Sequence, residues 1–183
     1  MEFLSALWLP VVVSSVLVFI ASFLVHMVIP LHKGEWEGLA NEDKVMEALA
    51  GAPAGNYMFP FGTMADMKDP EFVAKQKVAS GTITLWPGPV DMGRNLGLTF
   101  LSTLLVGVFV AYVVFHSFKG DATRPYLEVF RIAGTCAFMA HGLALIPQTI
   151  WYRSIRLWSS LMDAIIYGLL TAGTFAWLHH MPT

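Results

Sequence analysis

Six histidines, ten methionines and one acidic side chain set within an apolar run are the residues of this chain with types and spacing suited to chemistry. Two imidazoles at matching depth on neighbouring membrane helices can hold a haem iron. His26 and His141 are the pair that fits, since both stand towards the same end of their apolar runs. His116 lies at the opposite end of its run. At about 1.5 Å per helical residue it is nearly a bilayer thickness from His26, so those two share no ligand. His116, His179 and His180 fall together on the other side, where three imidazoles suit zinc or copper. Met64-Ala65-Asp66-Met67, with Met58 nearby and His32 upstream, offers soft thioether ligands for Cu(I). Each pattern has a plainer use. Histidines flank membrane interfaces or sit hydrogen-bonded in cores, and methionine is adaptable packing material.

Asp163 is the acidic residue in question. A charge inside a membrane span marks function by default. Arg153 and Arg156 precede it closely, however, so the simple expectation is a structural ion pair at a helical hairpin corner. Glu128 and Arg131, three apart, suggest a similar pair. The sequence holds no phosphate-binding loop, no His-Glu-x-x-His and no Ser/His/Asp grouping at readable spacing, so catalysis is not expected. No midplane series of carboxylates marks a proton or cation path, which leaves a small transporter or channel as a third reading.

The elements that position these residues are four apolar runs. Leu4–Ile29, Leu96–Phe115, Ile132–Ile150 and Leu161–Leu178 are 26, 20, 19 and 18 residues long. A hydrocarbon core about 30 Å thick takes roughly 20 helical residues. The first run lacks a basic leader and a small-residue cleavage site, so it reads as a retained anchor helix. The expected fold is an all-α membrane protein, a four-transmembrane-helix bundle. Residues 1–29 form its first helix, 30–95 an extramembrane loop, and 96–183 the other three helices with short connections. Pro10 and Pro147 lie near span ends and need not break them.

Composition agrees with a membrane location: 56% of residues are hydrophobic and 13% charged. The net charge of −2 gives no basic stripe for nucleic acid. Cys136, alone and inside the third run, reports nothing on redox compartment. Eight Lys and Arg residues fall on the long-loop side and three on the side of the termini. That imbalance favours a cytoplasmic long loop and periplasmic termini.

The long loop is ordered sequence. Asn41-Glu42-Asp43 and Asp69-Pro70-Glu71 are helix starts, the first helix ending by Gly51 and the second near Ala79. Thr82–Trp86 is β-prone, and Gly55–Gly62 is aromatic and turn-rich. So small a segment is not expected to build a full core. It reads as a mixed helix and short-strand cap folded over the membrane face of the bundle, with Trp36, Tyr57, Phe59, Phe61 and Trp86 at the interface. Within the spans, Gly107 with Ala111, and Ala164 with Gly168 and Ala172, repeat at helical spacing and predict close helix packing.

Three segments carry a resemblance. They are Leu39-Ala40-Asn41-Glu42-Asp43-Lys44-Val45-Met46-Glu47-Ala48-Leu49, then Asp69-Pro70-Glu71-Phe72, and the helical run from Met162-Asp163-Ala164 to Ala176-Trp177-Leu178. In these the chain resembles a group of small bacterial multi-pass membrane proteins described only as uncharacterised. The resemblance implies a bacterial inner (cytoplasmic) membrane and carries over no catalytic or cofactor residues. The reading is therefore a structural or accessory subunit of a homo-oligomer or larger membrane complex, embedded in the lipid bilayer and without a cofactor. The alternative is a haem b or copper protein using the histidine or methionine groups above.

Overall fold

The computed structural model describes residues 2–152 and 156–179. In chain order the helices are α1 (Glu2–Phe23), α2 (Glu42–Leu49), α3 (Pro70–Val78), α4 (Met92–Phe118), α5 (Tyr126–His141), α6 (Ile146–Tyr152) and α7 (Leu157–Leu178). The strands are β1 (Gly55–Phe59) and β2 (Gly81–Leu85). The chain divides into two compact units, one formed by Met1–Glu35 with Met92–Thr183 and the other by Trp36–Asp91. Residues 30–35 therefore belong with the helices.

Four segments of the first unit are long and apolar enough to cross a membrane: Glu2–Val28, Met92–Phe118, Tyr126–Tyr152 and Leu157–Leu178. They close into a ring in which α1 packs on α4, α4 on α5, α5 on α7 and α7 on α1. The apolar core is built from Val11, Val110, Val114, Val129 and Phe175, all almost fully buried. More than half of the α7 span is covered by protein, about twice the share of any other span, which makes α7 the central helix.

The repeated small residues explain that closeness. A Cβ added to Gly134 would stand 3.0 Å from the Ala172 Cβ, and one on Gly142 only 2.7 Å from the Ala164 Cβ. Gly107 sits in the same way against Val11 and Ser15 of α1. Ala111, Ala164 and Ala172 are completely buried. In lipid, where no hydrophobic drive separates helix–helix from helix–lipid contact, such close approach is what dispersion forces can reward.

Both prolines disturb their helices, which corrects the expectation of unbroken spans. A proline ring clashes with the carbonyl four residues earlier and supplies no N–H. α1 accordingly bends at Leu7, with φ −124° and ψ 20°, three residues before Pro10. Ahead of Pro147 the chain leaves the α-helix at Gly142, makes a 3₁₀ turn over Leu143–Leu145 and resumes as α6.

In the second unit, α2 and α3 begin where the acidic and proline signals predict. Asp69 caps α3 by accepting the Glu71 N–H at 3.0 Å. β2 covers most of the β-prone run and pairs antiparallel with β1, from Gly55 opposite Leu85 to Phe59 opposite Gly81. β1 was not expected as a strand. Cross-strand bonding stabilises it, including a 2.8 Å bond from the Thr84 hydroxyl to Asn56 Oδ1. Phe72 is the one large apolar side chain buried among the described residues of this unit.

Candidate functional site

At the end of the first span the backbone widens. Leu24–Val28 is a π-helical turn, closed by the Ile29 N–H donating to the Leu24 carbonyl at 2.8 Å, and Pro30–His32 follows as a 3₁₀ turn. π turns are rare and recur at functional sites. Here the pair of turns brings His26 and His32 face to face, with ring centroids 4.0 Å apart and planes inclined by 13°.

Each ring is held from its outer side. His26 Nδ1 lies 2.9 Å from the Ser22 carbonyl, which can only accept, so Nδ1 carries the proton. His32 lies between two carboxylates. Its Nδ1 is 3.0 Å from Glu35 Oε1, and its Nε2 is 3.0 Å from Asp163 Oδ2. A ring with acceptors at both nitrogens satisfies them as an imidazolium donating twice. Burial disfavours that charge, but the hydrogen bonds and charges of Glu35 and Asp163 outweigh it, so the His32 pKa is raised above 6.5. Glu35 is likewise desolvated, yet bonds from the Ser159 hydroxyl and His32, with the charges of His32 and Arg156, hold its pKa below the usual 4.5. The Arg156 guanidinium donates to the Gly34 carbonyl. Two carboxylates, one imidazolium and one guanidinium bring the local charge into balance.

Asp163 is 7% exposed, one turn and a half into α7. Its Oδ2 meets His32 and stands 3.8 Å from His26 Nε2. Its Oδ1 is buried and makes no hydrogen bond. Among the described residues the ion-pair partners of Asp163 are these histidines and not Arg156, one of the two arginines expected to pair with it. The histidines reach Asp163 because the chain leaving the first span passes over the start of α7. Arg153 lies outside the described residues.

The other sequence candidates disperse. His141 packs edge-on against Tyr167, with ring centroids at 5.3 Å, and the ring stacked on His26 is that of His32. His116 stands among Phe3, Tyr112 and Phe115. His179 is buried, with Nε2 3.0 Å from the Asp121 carbonyl and its ring beside Phe118. His180 lies outside the described residues. Met64 and Met67 are on the second unit, 86% and 43% exposed, and Met58 is on β1. Glu128 faces Arg124 at 3.7 Å, the position expected for Arg131.

Among the described residues one group of three or more side chains brings metal-binding atoms together: His26, His32 and Asp163, with ligand atoms within 4.8 Å of one another. His32 joins His26 and Asp163 here and not the methionine loop with which its sequence position grouped it, and Glu35 beside it is a residue the sequence reading did not single out. The available signal was His26-x₅-His32 straddling Pro30, with Glu35 three residues on. No protein-family model, curated protein or solved structure matches this chain, so the assignment of the site rests on its own geometry.

Proposed function

We propose that this protein is an accessory or scaffold subunit of the bacterial cytoplasmic membrane that works within a homo-oligomer or larger complex, with residues 36–91 supplying the contact surface. The observation that carries this is the unfinished state of that unit. Trp36 and Phe61 are each 85% exposed and Trp86 66%, while Phe72 alone is buried. Exposed aromatic groups of this kind are costly in water and typical of interaction surfaces. The bacterial assignment draws on the resemblance of the Met162–Leu178 segment. The cytoplasmic placement of the long loop draws on its excess of Lys and Arg.

Native mass spectrometry and cross-linking in mild detergent test this reading. The expected result is a defined assembly that Trp36→Ser with Phe61→Ser dissociates while helix content is unchanged. A stable monomer with no cross-linked partner overturns it. Metal binding is the second reading, favoured by the convergence of His26, His32 and Asp163.

A further inference from the structure

We propose that His26, His32 and Asp163 form a binding site for a divalent first-row transition metal of the zinc class, independent of whether the protein serves a larger complex. The donor set is two imidazole nitrogens and one carboxylate, the combination that holds zinc with a position left open. Three features distinguish it from a chance meeting of polar groups.

The first is orientation from behind. The Ser22 carbonyl fixes the proton of His26 on Nδ1, which leaves the Nε2 lone pair on the Asp163 side. Glu35 does the same for His32 by accepting from Nδ1. Metal-binding histidines are held in this way by a carbonyl or carboxylate at the nitrogen that does not bind. The second is Asp163 itself, whose Oδ1 is buried without a hydrogen bond while Oδ2 faces both rings. A buried carboxylate oxygen left unpaired is costly, and a cation beside it removes that cost. The third is access. The His26 side chain is 47% exposed, against 14% for His32 and 11% for Asp163, so the site opens on its His26 side.

Without a metal, a proton on His32 Nε2 bridges to Asp163. Binding exchanges that proton for the cation: one M²⁺ enters, one H⁺ leaves Nε2 for solvent, and Nε2 and an Asp163 oxygen become ligands. Rings only 13° from parallel cannot both aim a lone pair at one ion. His26 therefore tilts out of the stack, a movement its exposed side permits. His32, held between Glu35 and α7, stays in place.

The test uses the full chain in detergent, with any affinity tag removed, titrated with Co²⁺ and then Zn²⁺. The expected result is one Co²⁺ per chain with visible d–d absorption bands, displaced by Zn²⁺. His26→Ala, a change at an exposed side chain, should abolish the bands, and so should Asp163→Asn. Glu35→Gln should weaken binding about 10- to 100-fold by loosening His32. His116→Ala should leave binding unchanged. Absence of Co²⁺ bands in folded wild-type protein overturns the proposal, and so does binding that survives His26→Ala. Should Asp163→Asn fail to fold, the His26→Ala result decides alone.

Discussion

The two ends of the helical unit hold similar side chains and put them to different use. At one end His26 and His32 are oriented from behind and converge on Asp163. At the other, His116 rests among aromatic rings and His179 bonds to the Asp121 backbone. Both ends would score alike in a count of histidines. The difference lies in convergence: among the described residues, only at the first end do two imidazoles and a carboxylate bring their ligand atoms within 4.8 Å of one another. A converging set of that kind can exchange a proton for a cation, whereas a histidine bonded to a backbone carbonyl serves the fold. Chemistry is therefore expected where the donor atoms converge, and structural service where they are spread among aromatic rings and backbone.

The largest expected effect that would sharpen this contrast comes from Asp163→Ala. It leaves the His32 imidazolium without its α7 partner and should lower stability by about 3 kcal/mol, measured by denaturant unfolding in detergent. A change within experimental error would mean that the two ends do not differ energetically. Next comes Gly142→Ala, which sets a methyl 2.7 Å from the Ala164 Cβ, one residue from Asp163. About 1–3 kcal/mol of overpacking strain is expected. Gly97→Ala, with no atom near its added methyl, should show none of this strain.

A smaller, pH-dependent difference follows from the charged partners. The His32 pKa is raised in the fold, so its contribution is complete below 6.5 and lost as pH rises through the folded value. The Glu35 pKa is lowered, so its contribution is complete above 4.5 and lost as pH falls through the folded value. Together they place the greatest stability from this end in the mildly acidic range between 4.5 and 6.5. At the opposite end Asp121 is held below its usual 3.8 by the Thr123 hydroxyl and N–H, with the charges of Arg124 and His179 assisting, so its contribution is complete above 3.8 and lost as pH falls through the folded value. Melting temperature followed against pH should thus show an alkaline decline that His32→Gln removes. Persistence of the decline in that variant would assign it elsewhere. Smallest of all is His116→Ala, expected to move stability by no more than about 0.5 kcal/mol in the same assay.

Much of the architecture is legible in the residues alone, because its causes are local. Runs without charge give the spans, and Asp69-Pro70-Glu71 starts α3 with the cap that its composition implies. β1 was hidden because Gly55 and Asn56 read as turn residues, and the strand exists only through its pairing with β2. The kink at Leu7 and the break at Gly142 follow from Pro10 and Pro147, whose positions near span ends masked their effect. The site was hardest to see. His32 and Asp163 are separated by 131 positions, and no spacing rule reaches across that distance. Only the packing of α1 beside α7 brings them together.

The π turn at Leu24–Val28 makes the site a matter of rotational phase. Each residue of an α-helix advances the chain by about 100° around its axis. A widened turn holds one more residue than the regular helix would, so it resets the direction in which everything after it points. Removing a single residue from Leu24–Val28 would leave the span long enough to cross a bilayer and as apolar as before. It would nonetheless close the widened turn and change how the His26 and His32 rings are set against each other and against Asp163. Membrane insertion and donor geometry are thus separable at this one turn, the first governed by length and the second by angle.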